Sequence, residues 1–91
     1  MKPPTIEHYR QYTQERANVI QTQLQTGAYA PEDVAVGRKL FFDFYTYAQV
    51  FRSGTGGEVL LRAKEYIDRV YGHDFQEWLS VRTTNTTRED N

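Results

Sequence analysis

The chain has 91 residues, of which 38% are hydrophobic and 14% aromatic, and its formal net charge is −1 at pH 7. This length corresponds to one small domain, so a few large side chains must supply most of the core. The near-zero charge predicts no field strong enough to capture nucleic acid or an anionic membrane. The chain has no cysteine, which excludes disulfides, thiolate catalysis and cysteine-based zinc sites.

The sequence predicts a cytoplasmic protein that does not enter the membrane. No apolar run approaches the ~20 residues that a membrane-spanning helix needs. The first four residues, Met1-Lys2-Pro3-Pro4, lead directly into polar sequence, which argues against a secretory signal. The absence of cysteine fits a reducing compartment.

The first predicted helix runs from Ile6 to about Thr26 and carries its inward side chains on one face. Thr5 precedes it as a suitable N-cap, with Glu7 in the first turn. Gly27 follows as the expected left-handed residue at the C-terminus. The inward positions recur every three or four residues and are Ile6, Tyr9, Thr13, Ala17, Ile20 and Leu24, with Tyr12 and Val19 at the margins.

The stretch from Pro31 to Arg52 predicts a central helix on which the other elements pack. Pro31 suits the first helical position, and Gly54 is placed to end the helix in a left-handed conformation. The apolar side chains fall within an arc of about 160°, which is wide enough to contact at least two other elements. They are Val34, Leu40, Phe41, Phe44, Tyr45, Tyr47, Ala48 and Phe51. Gly37 lies inside the arc and either allows the close approach of another helix or marks an irregular first turn.

A third helix is predicted from about Gly56 to Tyr71, after a glycine-rich loop, with Gly72 ending it. The loop lacks the Lys-Ser/Thr ending of a phosphate-binding P-loop, and no strand precedes it. Thr55 and Glu58 instead have the spacing of a capping box, which favours a structural role for the loop. The inward residues of this helix are Val59, Ala63, Tyr66, Ile67 and Val70.

A short fourth helix is predicted from Asp74, its N-cap, to about Arg82. At roughly two turns it must dock on the other helices to be stable. Its inward residues are Phe75, Trp78 and Leu79. The last residues contain no apolar side chain and are expected to form a disordered tail over 84–91. The predicted fold is therefore all-α, with a single domain over 1–83 formed as a compact bundle of three antiparallel helices plus the short fourth helix.

We find no arrangement typical of a catalytic, metal or cofactor site, so we predict a protein that is not an enzyme. His8 lies on the polar side of the first helix and His73 lies in a turn, and nothing in the sequence pairs them. Asp43 projects to the polar side of the central helix, one turn after Lys39, as an exposed ion pair would.

Three apolar side chains do not fit the predicted core faces. Phe42 and Val50 point away from the core arc of the central helix, and Leu61 does the same on the third helix. A single exposed apolar residue is ordinary, but Phe42 is large: either flanking helices bury it or it belongs to a protein interface. Arg38 and Lys39 are the only adjacent basic pair. The predicted partner-binding residues are Phe42, Val50, Leu61, Arg38 and Lys39.

The sequence favours a small non-enzymatic protein-interaction module, such as a regulator, adaptor or inhibitor, that acts through a helical surface. Its partner would be another protein or a second copy of the chain in a dimer. The alternative is a helical module whose aromatic core encloses a hydrophobic small molecule, which requires a cavity. Charge disfavours nucleic acid, although a dimer could assemble a basic surface from Arg38, Lys39 and Arg52.

Overall fold

The structure, a computed structural model, describes residues 4–54 and 56–90, with side chains as far as Arg82. These residues form four α-helices and contain no strand. The helices are α1 (Ile6–Gln25), α2 (Val34–Ser53), α3 (Gly57–Val70) and α4 (Gly72–Asp90), and the 3₁₀ turn Pro31–Asp33 precedes α2. The predicted all-α bundle is confirmed.

The start of α1 and the end of α2 follow the local rules that predicted them. The start of α2 is corrected, because Pro31 opens a 3₁₀ turn and the α-helix begins only at Val34. The Thr5 hydroxyl accepts the N–H of His8 at 3.3 Å, and Nδ1 of His8 accepts the N–H of Thr5 at 3.0 Å. Together these bonds satisfy two backbone donors that the first turn would leave unpaired. Gly54 ends α2 in the left-handed conformation at φ 65°, and its N–H donates to the carbonyl of Val50. His8 is therefore a capping residue, a role that its sequence position did not indicate.

The start and end of α3 differ from the prediction. Gly56, at φ 68°, occupies the N-cap position and has no side chain with which to cap the helix. Thr55, the predicted capping residue, lies outside the described residues. The predicted stop at Gly72 is corrected, because Tyr71 is the C-cap of α3 and Gly72 opens α4. Tyr71 connects the two helices directly: its N–H donates to Ile67, and its carbonyl accepts the N–H of Phe75.

The backbone of α4 remains helical to Asp90, past the predicted end near Arg82. No Gly or Pro occurs among residues 83–90 to stop it. The sequence predicted a disordered tail over 84–91; the side chains of these residues lie outside the described part of the chain, and disorder there stays a prediction.

The core is built on the antiparallel hairpin of α1 and α2, with aromatic rings at its centre. The ring of Tyr12 lies 5.7 Å from Phe44 of α2 and 5.1 Å from Phe75 of α4. The ring of Tyr9 stacks on Phe51 at 5.6 Å and on Phe75 at 4.5 Å. Each of these side chains contributes roughly 1.5–3 kcal/mol by burial. Tyr12, expected at the margin of α1, is fully buried because α4 packs over it.

Two layers of helices account for the thickness of the molecule. Its principal-axis extents are 45 × 35 × 21 Å. A helix with its side chains is about 10–12 Å across, so the shortest dimension accommodates two layers. Phe75 of α4 stacks on Tyr9 of α1, and Tyr66 of α3 lies 5.2 Å from Tyr47 of α2, so both helices pack on the hairpin. Phe42 and Tyr45 of α2 are exposed, so no described helix packs over that face of α2.

Gly37 allows neighbouring side chains to approach α2 closely, which is one of the two roles predicted for it. A Cβ atom at this position would lie 2.9 Å from Cζ of Tyr29 and 3.1 Å from Cδ2 of Leu24. Any larger residue therefore pushes against the segment that leads into α2. Only glycine fits this packing, although it disfavours the helix by about 1 kcal/mol relative to alanine.

Gly37→Leu is expected to lower the free energy of unfolding by about 1–3 kcal/mol, the cost of overpacking. Urea unfolding followed by circular dichroism measures it. Ala35→Leu, at an exposed position of the same helix, is the matched control and should change stability by less than about 0.5 kcal/mol. Equal midpoints for the two variants would show that Tyr29 moves aside without cost.

Candidate protein-interaction surface

Four of the five predicted partner-binding residues are exposed. Phe42 is 67% exposed, so it lies outside the core and the alternative of intramolecular burial is excluded. Leu61 is 55% exposed. Arg38 and Lys39 are exposed on the helical turn before Phe42. Leu61 belongs to α3 and the other three to α2, and no described contact brings Leu61 to them.

Val50 does not point away from the core as predicted. It is half-buried, packs against the core cluster, and lines a groove between α2 and α3 beside Tyr47 and Tyr66. The reason is that α3 packs along this flank of α2. The helical pattern of α2 alone predicted that this flank faces solvent. A role for Val50 in partner binding stays a prediction.

Phe42 is part of an aromatic patch. Tyr45, which the sequence placed in the core arc, is 46% exposed. Its ring stacks on that of Phe41 at 5.6 Å, with 23° between the planes, and the ring of Phe41 lies 6.4 Å from that of Phe42. Phe41 is half-buried against the core and so anchors the other two. We call Phe41, Phe42 and Tyr45 the α2 aromatic patch.

The patch adjoins unpaired positive charge. Arg38 precedes Phe41 by three residues and Phe42 by four, so helical geometry places it beside both rings. Lys39 precedes Phe42 by three residues, and Arg52 lies in the last turn of α2. Within the described chain, no carboxylate forms an ion pair with Arg38, Lys39 or Arg52.

The charge of α2 differs in sign from that of the whole chain. The helix has three basic residues and one acidic residue, a net charge of +2, against −1 for all 91 residues. The acidic residue, Asp43, is half-buried and accepts a hydrogen bond from the hydroxyl of Tyr71 at 3.4 Å. It forms no ion pair with Lys39, so the exposed pair that the sequence predicted is not formed.

A polar network attaches α4 to α1 on the covered side of the molecule. Asp74 accepts hydrogen bonds from the hydroxyl of Tyr12 at 2.7 Å and from Nη2 of Arg16 at 2.6 Å. Asp74 lies inside the first turn of α4, so its predicted N-cap role is corrected. Its carboxylate is drawn to α1 because the buried Tyr12 hydroxyl needs an acceptor.

A second pair of contacts extends this network. Glu15 accepts a hydrogen bond from Nε1 of Trp78 at 3.1 Å and forms an ion pair with Arg82. The guanidinium of Arg82 also lies 4.3 Å from the centre of the Trp78 ring, at cation–π distance. Glu15, Trp78 and Arg82 thus bind one another across the two helices. Their contacts hold α4 against α1, and none of the three is a free nucleophile.

The buried tyrosines are held neutral. Burial raises the pKa of Tyr9 above its ordinary value, and the hydrogen bond that its hydroxyl donates to Asp68 raises it further. Burial likewise raises the pKa of Tyr12, together with its bond to Asp74. The same cause, followed by the charge of Asp43, raises the pKa of Tyr71. A phenol with a raised pKa is a poor general base at neutral pH.

The described residues include no group of three His, Cys, Asp or Glu side chains that could hold a metal ion. No helix in the same part of the chain is long and apolar enough to cross a membrane. His73 is exposed and lies 3.2 Å from Glu77, one turn further along α4. It is therefore placed as an ordinary surface side chain.

No protein-family model matches the chain, and no curated protein or solved structure shows significant similarity to it. Among the large apolar side chains described, Phe42 of the α2 aromatic patch is the most exposed, and Arg38 and Lys39 beside it form no ion pair.

Proposed function

We propose that the protein is a small non-enzymatic interaction module, a regulator, adaptor or inhibitor, whose α2 aromatic patch binds a partner protein. The observation that carries this proposal is the exposure of Phe42, next to Tyr45 and Arg38 on a face that no other described helix covers. Aromatic residues and arginine dominate the binding energy of protein interfaces. Aromatic rings bury much area at little entropic cost, and arginine offers several hydrogen-bond donors on one planar group.

The shape of the surface favours a protein over a small molecule. The patch lies on the outer face of a helix, whereas small ligands bind in concave sites that bury most of their surface. The alternative of a ligand inside the aromatic core has less support, because the rings of Tyr9, Tyr12 and Phe75 already contact one another there. An enzymatic role would need convergent polar groups that are free to react, whereas the carboxylates of Asp74 and Glu15 already accept hydrogen bonds from α1 and α4 side chains.

Phe42→Ala is expected to weaken association by about 2 kcal/mol, or roughly 30-fold, as for a central aromatic anchor. Its unfolding free energy should stay within about 0.5 kcal/mol of the parent, since truncating an exposed side chain creates no cavity. Affinity capture from the native host with quantitative mass spectrometry, sedimentation velocity and urea unfolding together provide the measurements.

Val36→Ala is the matched control, because Val36 is an exposed apolar residue of the same helix, at 56%, and lies outside the patch. It should retain both the partner and the assembly state of the parent. A parent dimer that dissociates in Phe42→Ala would identify the partner as a second copy. Equal retention by the two variants, or strong destabilisation by Phe42→Ala, would contradict the proposal.

A further inference from the structure

We infer that the α2 aromatic patch binds an acidic amphipathic segment of a different protein, which presents apolar side chains to the rings and carboxylates to Arg38 and Lys39. The inference rests on the proposed function and adds the chemical class of the partner. Its basis is charge complementarity at the patch.

The basic residues of α2 differ from those elsewhere in the fold. Four other arginines each form an ion pair with a carboxylate of the same chain; these pairs are Arg10–Glu7, Arg16–Asp74, Arg62–Glu58 and Arg82–Glu15. Arg69 lies over the ring of Tyr66. Lys64 likewise has no carboxylate partner, but it lies over the ring of Tyr9. Across the described residues, Arg38, Lys39 and Arg52 have neither an ion-pair carboxylate nor a ring beneath them. The unpaired cations are thus concentrated on the helix that carries the exposed rings.

Helical spacing places the charges and the rings within reach of one bound segment. Arg38 and Phe42 are separated by four residues, and Lys39 and Phe42 by three, so each charged side chain is next to the ring at about 5–6 Å between Cβ atoms. A guanidinium offers two parallel donors to a carboxylate, and its desolvation beside an aromatic ring strengthens that bond. The bound segment must therefore present apolar side chains to the rings and carboxylates to the two cations. An amphipathic helix does both, with apolar anchors one turn apart and acidic residues at the margin of its apolar face.

Two other occupants fit the charges less well. A second copy meeting the patch symmetrically would bring Arg38 and Lys39 of both chains into one interface, and like charges across an interface are unfavourable. Nucleic acid is bound largely by many phosphate contacts, which a helix of net charge +2 cannot make. An acidic protein segment needs only one or two such contacts in addition to the apolar anchors.

The test uses two synthetic amphipathic helices of about five turns. Both have the same leucine face, and they carry either glutamate or lysine at its margins. Fluorescence anisotropy at low salt should show the glutamate peptide binding about tenfold more tightly than the lysine peptide, a difference that salt should screen. The double variant R38E/K39E should reverse this preference. R62E/R69E, with the same change in net charge on α3, should leave it unchanged.

Phe42→Ala separates failure of the inference from failure of the proposed function. If both peptides bind equally and both lose affinity in Phe42→Ala, the patch is an interaction site but its partner is not acidic, and the inference is overturned. If Phe42→Ala leaves both affinities unchanged, the inference and the proposed function are both wrong. The inference is also overturned if the glutamate peptide does not bind at millimolar concentration, if a single-stranded oligonucleotide displaces it at lower concentration, or if self-association through Phe42 excludes it.

Discussion

Phe75→Ala is expected to lower the free energy of unfolding by about 3–5 kcal/mol. The ring is fully buried and contacts Tyr9 at 4.5 Å, Tyr12 at 5.1 Å and Trp78 at 5.8 Å. Removing the ring leaves a cavity between α1 and α4. In a molecule only two helix layers thick, few neighbouring side chains can move in to fill it. Small domains are stable by about 5–15 kcal/mol, so this loss is a large part of the total.

Urea unfolding with circular dichroism measures the effect, and near-ultraviolet signals of Trp78 report whether α4 remains docked. Val81→Ala is the control on the same helix, because Val81 is exposed; it should change stability by less than about 0.5 kcal/mol. A loss below about 1 kcal/mol for Phe75→Ala would show that the α1–α4 contact contributes little to folding.

Stability is expected to fall steeply at alkaline pH. The pKa values of Tyr9 and Tyr12 are raised in the folded protein, mainly by burial, whereas an unfolded tyrosine has a pKa of about 10. A raised folded-state pKa means that stability is fully present below the unfolded value and is lost as pH rises above it, because only the unfolded chain releases the proton. By pH 11 each tyrosine should have removed about 1.4 kcal/mol, or about 3 kcal/mol for the pair.

Unfolding free energies measured from pH 8 to pH 11 test the expected alkaline loss of stability. Tyr9→Phe and Tyr12→Phe should each be less stable than the parent near neutral pH, since each loses a hydrogen bond to a carboxylate, but each should lose less on going to pH 11. Tyr45→Phe, with an exposed ring, is the control and should keep the full alkaline loss. The assignment is wrong if the phenylalanine variants and the parent lose stability in parallel.

Local chemistry specifies where α1 begins and where α2 ends. Thr5 caps α1, and Gly54 closes α2, because each position requires a hydroxyl acceptor or a left-handed backbone that few residues supply. The helical period also placed Phe42, Arg38 and Lys39 outside the core arc of α2, and all three are exposed. These features depend on residues within one or two turns of each other, which is why the sequence alone predicts them.

The tertiary structure decided which faces are covered. Val50 is half-buried and Tyr45 exposed, the reverse of the helical pattern, because α3 lies on one flank of α2 and no described helix lies on the other. Asp74 has the sequence position of a cap, but it binds Tyr12 and Arg16, more than fifty residues earlier in the chain.

By itself, therefore, the sequence determined the helices, most of their ends and the apolar residues available for a core. It left open which partner each side chain would meet, because periodicity describes one helix at a time and carries no information about its neighbours. The α2 aromatic patch was only partly predictable for the same reason: Phe42 follows from the period of α2, whereas the exposure of Tyr45 follows from the side on which α3 and α4 pack.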